Sequence, residues 1–283
     1  MNILTVLKII AALGTSATGL LALVKPTAVY GFTGLVAEGA RGISELRAIF
    51  GGLFIALGIA PFIFGEVGYQ VLGVGYLADA LADEGADEIL SIHISNTLSA
   101  VVNVAQTAAA EINSVPVTVF DSRQLSLGMG FLVQTAAEMA QAGSSVKEIL
   151  PVLEDQIKRT HVWAALDTLE FLRRSGRMNG VVSTIGELVQ IKPILKMYDG
   201  VSGVERVRTR KNAIKRLVDR LQTYGPYEKL AFLHSEALEQ VRALQDEVRE
   251  LLPDKETWVE VINPVLGAHI GPGVVGFACV SKE

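Results

Sequence analysis

The sequence predicts an α/β protein preceded by transmembrane helices. Two observations carry this reading. From residue 79 onward, short β-branched apolar runs alternate with helical patterns, the arrangement of a parallel or mixed sheet covered on both faces. Before that point charge nearly vanishes. Residues 1–78 hold four basic side chains (Lys8, Lys25, Arg41, Arg47) and three acidic ones (Glu38, Glu45, Glu66), against 21 and 27 in the remainder.

Ile9–Val24 is uncharged and extends back through Ile3–Leu7 if Lys8 carries its ammonium to the headgroups. Ala48–Gly65 is a second uncharged run, close to the roughly 20 residues that a bilayer requires. Val67–Ala78 is a third, too short to span unless it tilts. Buried helices of a soluble core are the alternative, but two long uncharged runs suit lipid better. A secretory signal fits poorly, because Lys8 interrupts the run and no small-residue cleavage site precedes Lys25-Pro26. Lys25, Arg41 and Arg47 mark the connecting loop as cytoplasmic. The expected location is the cell membrane, with the α/β region in the cytoplasm.

In the α/β region, Ile89–Ala100 (ILSIHISNTLSA) reads as a strand breaking into a polar turn, with a helix over Val101–Ile112. Free N–H groups at a helix N-terminus favour an anion, although a Ser/Thr turn there ordinarily serves as an N-cap. Val115–Phe120 is a buried strand closed by Asp121-Ser122. Leu127–Ala142 and Ser145–Lys158 are helical, the latter capped by Ser144 or Ser145. His161–Leu166 is a strand and Asp167–Ser175 a helix. Lys192–Tyr198 and Val204–Arg208 flank Asp199-Gly200, a hairpin signal. Thr209 caps a basic helix reaching Tyr224. Strand Lys229–Leu233, helix Ser235–Leu252 and strands Thr257–Ile262 and Val274–Val280 follow. Between the last two, GAHIGPG (Gly267–Gly273) sets His269 among glycines that let a backbone approach a ligand closely.

Several function classes fit badly. A net charge of -5 gives no basic face for nucleic acid. The single cysteine, Cys279, rules out an internal disulfide framework, and its apolar setting (GFACV) marks a structural thiol. His93, His161, His234 and His269 never fall at i, i+4 around a glutamate, so no metal site is expected. Ser95 or Ser99, Asp121 and His269 supply the residue types of a triad. No G-x-S-x-G elbow, P-loop or strand-linked G-x-G-x-x-G accompanies them, so neither catalysis nor a cofactor is expected. Asp121 is better placed to cap a turn, and His93 to pack in the core.

Five blocks occur in order between about Asp83 and Val280: ILSIHISNTLSA, VFDSRQLSLGMG, LEFLRRSGRMN, IKPILKMYDGVSGVERVRTRKNA and GAHIGPGVVGFA. Together they resemble the DegV family of bacterial fatty-acid-binding proteins. The resemblance implies a two-lobed α/β fold and no catalysis. It also implies a long-chain fatty acid ligand whose carboxylate is presented to a separate fatty acid kinase. It places the carboxylate contacts at the serine turn (Ser95 and Ser99, with Ser99 preferred) and at His269. Arg177, in RRSGRMN, matches a basic position near the pocket mouth, and also suits a helix C-terminus. The basic run Arg206, Arg208, Arg210, Lys211, Lys215 and Arg216 reads as a solvated face or a dock for an acidic partner.

The chain departs from the family at its start. The family's opening strand with a D-S pair, and its later T-S-x-P-S turn, have no counterpart in residues 1–78. The stretch SELRAIFGGLFIALG there resembles a small bacterial four-helix membrane family of unknown function. The expected organisation is a membrane-helix segment (1–78), a partial acyl-binding lobe (79–159) and a second lobe (160–283). The alternative is a membrane-helix protein whose truncated DegV-like region no longer binds ligand.

Overall fold

The computed structural model describes residues 3–29, 85–175, 191–253 and 257–282. The chain divides into two units, residues 1–91 with 103–119 and residues 92–102 with 120–283. In the first unit the uncharged run forms helix α1 (Ile3–Val24), followed by a 3-10 turn at Pro26–Val29. Among the described residues no helix is long and apolar enough to cross a membrane. The transmembrane reading of Ile9–Val24 gains no support from this helix. The runs Ala48–Gly65 and Val67–Ala78 lie outside the described residues.

Strand β1 (Ile89–His93) and strand β2 (Val117–Asp121) form a two-stranded sheet. Helix α2 (Val101–Glu111) connects them, burying Val104, Ala105 and Ala108 at the i, i+1, i+4 spacing of one helix face. Val115, expected to open the second strand, precedes it instead. Pro116 has no N–H for a ladder, and its carbonyl accepts from Ile89 N at 2.9 Å.

The second unit is built on a six-stranded sheet in the order β5-β4-β3-β8-β6-β7. Its strands are β3 (Thr160–Ala165), β4 (Lys192–Tyr198), β5 (Val201–Val207), β6 (Tyr227–Ser235), β7 (Trp258–Val261) and β8 (Val274–Ser281). It is mixed, as expected, but only β6–β7 is a parallel pair. β8 enters antiparallel between β3 and β6 and is buried from Val274 to Val280.

Alternation along the strands sorts side chains between two cores. Trp163, Ala165, Ile194, Phe232, Phe277 and Cys279 face α6 (Arg210–Tyr224) and α7 (Leu238–Glu247), meeting Leu217, Leu221, Val241 and Leu244. Val162, Met197, Ala231, Leu233, Ala278 and Val280 face the other way, with Phe131 of α3 (Ser126–Gln141) packed among them. Both faces of the sheet are thus covered.

Local chemistry explains most element ends. Ser145 and Glu148 form a capping box before α4 (Val146–Arg159), the Ser145 amide donating to Glu148 Oε2 at 2.8 Å. Thr209 accepts from Asn212 N at 3.1 Å and starts α6. Asp199 (φ 43°) and Gly200 (φ 77°) are both left-handed, the geometry of a type I′ hairpin turn, so β5 begins at Val201 rather than Val204. The expected helix from Ser235 starts only at Leu238, because Ser235 still pairs with Val274. It gives way to a 3-10 turn at Arg249–Leu251. The helix expected from Asp167 begins later, as α5 (Glu170–Arg174), with Thr168 Oγ1 accepting from the Glu170 amide at 3.1 Å.

One helix was not expected. Pro264–Ile270 forms α8, with Asn263 capping Leu266 N at 2.9 Å and Pro264 in the first turn. His269 therefore sits in the last turn of a helix, not in a glycine loop. The glycines that follow serve packing. Gly271 and Gly273 both hold φ 78°, and a Cβ would run into the Phe171 ring at the first and the Asp167 carboxylate at the second.

Candidate functional site

An apolar slot opens on the α3 side of the sheet, entirely within the second unit, where the core is incompletely filled. Its empty volume is about 560 Å³, a figure that includes space open to solvent. Val162 and Ala164 (β3), Leu195 and Met197 (β4) and Leu233 (β6) form its floor, with Leu98, Leu125, Leu266 and Ile270 around them. Lys196 also lines it, but its ammonium is drawn to the opposite face, 5.6 Å from the centre of the Trp163 ring and 3.7 Å from Glu205. Larger clefts around Tyr227 and Trp258 are lined by charged groups such as Glu228, Glu250 and Lys282, and offer no apolar channel.

The structure brings two of the expected segments to this slot. Leu98, between Ser95 and Ser99, is part of the wall; so are Leu266 and Ile270, on the helix of His269. None of Ser95, Ser99 and His269 is itself in the wall. Each belongs to a segment that borders it. Arg177 lies outside the described residues.

The two serines differ sharply. Ser95 is fully buried, its amide donates to Gln124 O at 2.9 Å, and its hydroxyl lies 2.9 Å from Thr97 Oγ1. Ser99 is only half-buried and accepts from the amide of Val101, the first residue of α2, at 3.4 Å. No bond from the Ser99 hydroxyl to another described residue uses its hydrogen, so it remains a donor for a ligand.

Asp121 caps the turn, as expected. It accepts from Arg123 N at 2.9 Å and from Asn96 N at 3.3 Å. It is tied to backbone rather than to a histidine, and the triad imagined from the sequence gains no support. Arg123 (φ 49°) links this loop to Asp199 at 2.9 Å and also to Glu154.

Of the remaining titratable groups, His93 is half-buried, and desolvation lowers its pKa. His161 stacks between Tyr198 and Tyr224, ring centroids 4.7 and 3.9 Å away, and burial lowers its pKa to about 4. Burial raises that of the Cys279 thiol, leaving it protonated and inert, the structural role expected of it. Arg216 and Arg220 of the basic helix pair with Glu205 at 3.4 and 3.1 Å, and Arg210 donates to Gly273 O at 2.8 Å. Part of that run therefore has structural work.

The sequence profile of the DegV family, described as uncharacterised proteins, matches residues 72–282. The chain belongs to the DegV family. A DegV domain-containing protein of Deinococcus radiodurans is 38% identical over 208 residues, covering 71% of this chain and 73% of that protein. One from Streptomyces coelicolor is 34% identical over 206 residues, with coverage of 71% and 73%. Among solved structures, a Thermus thermophilus DegV family protein described for its fatty acid binding superposes with a TM-score of 0.66 at 33% identity. That match covers 75% of this chain and 77% of the other. DegV of Bacillus subtilis, described as a fatty acid binding protein, gives a TM-score of 0.67 at 29% identity, again over 75% and 77%. The α/β fold is thus that of DegV proteins.

Sequence reasoning missed Thr97, Gln124 and the slot's own walls. Apolar residues that line a slot carry the same pattern as apolar residues that fill a core. Only α8 left a readable signal, Asn263-Pro264.

Proposed function

We propose that this chain is a non-catalytic carrier of a long-chain fatty acid, which it presents to a separate fatty acid kinase. The observation that carries the reading is the apolar slot, bordered both by the turn holding Ser99 and by the helix holding His269. A tail of about sixteen carbons has roughly 0.8 kcal/mol per buried CH₂ available, a gross gain near 12 kcal/mol before ordering costs. A hydrogen bond to a charged head adds about 1.5–3 kcal/mol. The tail supplies affinity, and the head selects an acid and fixes register.

Ser99 and His269 are the proposed head contacts, with Ser95 shaping the turn. Arg177 joins them through the family resemblance alone. Residues 79–159 contribute the head-group turn and 160–283 most of the slot's walls. Presentation to a kinase rests on the same resemblance. Location at the membrane is proposed from the uncharged run Ala48–Gly65, and recovery of the full chain in the soluble fraction after carbonate washing without detergent would refute it.

The deciding experiment is mass spectrometry of lipid extracted from the purified full-length chain, followed by calorimetric titration with oleate. Co-purified fatty acid and saturable oleate binding are expected. Absence of both would leave a DegV fold that has lost its ligand. A purified fatty acid kinase should phosphorylate oleate in the presence of this chain and fail to do so in its absence.

A further inference from the structure

The turn that carries Ser95 and Ser99 is joined to the β4–β5 hairpin by a relay of two hydroxyls. Thr97 Oγ1 donates to the carbonyl of Gly200 at 3.1 Å and lies 2.9 Å from Ser95 Oγ. A hydroxyl has one hydrogen, and a carbonyl only accepts. Thr97 has therefore spent its hydrogen on Gly200, and Ser95 is the donor within the serine–threonine pair. Ser95 Oγ in turn accepts from Thr97 N at 3.4 Å, so both roles of this buried oxygen are in use.

The hairpin is gripped from a second side at the same point. Gly200 N donates to Arg123 O at 3.0 Å, and Arg123 Nη1 donates to Asp199 Oδ1 at 2.9 Å. Past this turn the hairpin supplies Met197, Ser202 and Gly203 to one wall of the slot. The tip that Thr97 holds is thus continuous with one wall of the slot.

We propose that Thr97 is a positioning residue: its hydroxyl latches the β4–β5 hairpin to the head-group turn and so keeps that wall closed over the ligand. It does not itself touch the ligand. The proposal rests on the fatty-acid reading for what lies in the slot, whereas the latch belongs to the ligand-free chain.

The test compares Thr97→Val, which keeps the shape and removes the hydroxyl, with Thr97→Ser, which keeps the hydroxyl, in the full-length chain. Amide hydrogen exchange at Val201–Gly203 without ligand is expected to rise about threefold to tenfold in Thr97→Val, the equilibrium worth of one neutral hydrogen bond. The dissociation rate of bound oleate should rise by a similar factor. Thr97→Ser should restore both, and Thr97→Ala replaces the valine variant should valine disturb the turn. Unchanged exchange would overturn the latch. So would raised exchange with an unchanged oleate dissociation rate, since the wall would then not confine the tail. If the unmodified chain binds no oleate while exchange responds as expected, the latch stands and the fatty-acid reading falls.

Discussion

Filling the slot should separate tail binding from fold stability, because the two respond in opposite directions. Ala164 lies on β3 opposite Leu195 and Gly276, with its side chain on the slot face. A Cβ at Gly276 would come within 2.9 Å of the Ala164 Cβ, so Ala164 already leans over the neighbouring strand and the slot is the free direction. Ala164→Leu adds three carbons. They occupy space otherwise taken by about three methylenes of the tail, worth roughly 0.8 kcal/mol each. The expected loss is about 2.4 kcal/mol, or about 50-fold in oleate affinity. Without ligand, the same carbons bury apolar surface in an incompletely filled core, so the melting temperature should hold or rise. Calorimetric titration and thermal unfolding of the same preparation read both quantities. Oleate affinity within threefold of the unmodified chain, in a variant melting at or above its temperature, would show that the tail lies elsewhere.

Three further outcomes are expected. Ser99→Ala and His269→Ala should each cost oleate about 1.5–3 kcal/mol, roughly 10- to 150-fold, while changing oleyl alcohol binding little; calorimetry with both ligands decides. Ser95→Ala removes a buried donor to Thr97, so it should lower stability by about 1 kcal/mol and affect acid and alcohol alike, read by denaturant unfolding and the same titrations. His161 has its pKa lowered from 6.5 to about 4 by burial, so the unfolded chain binds the extra proton between those values. Its contribution is present above pH 6.5 and lost as pH falls toward 4, about 1–2 kcal/mol after allowance for its partly exposed ring. His161→Phe keeps an aromatic ring in the stack, and its unfolding free energy should lose that part of the slope over this range.

Much of the fold was legible because short-range chemistry wrote it. Asp199-Gly200 dictates a left-handed turn, Thr209 and the Ser145–Glu148 pair dictate helix starts, and β-branched runs dictate strands. Strand direction was harder. The alternation of strands and helices allows a parallel or a mixed sheet, and the choice depends on β8 inserting antiparallel between β3 and β6 from the end of the chain. α8 was hidden because its glycines drew attention from its cap. The uncharged run of α1 made a helix legible, whereas lack of charge alone does not separate a buried helix from a membrane span.

The head-group site shows the same boundary at the level of single atoms. Ser95 and Ser99 stand in one polar turn, four residues apart and chemically identical, and nothing local distinguishes which of them is available to a carboxylate. The distinction comes from a carbonyl far along the chain. Gly200 O takes the hydrogen of Thr97, which obliges Thr97 to accept from Ser95, and Ser95 is left with nothing to donate. Ser99, one turn onward and outside this relay, keeps its hydrogen. A carboxylate accepts only, so under the proposed function its partner would be the serine with a proton to give. Long-range topology thus distinguishes the two serines by using up the hydrogen of one of them.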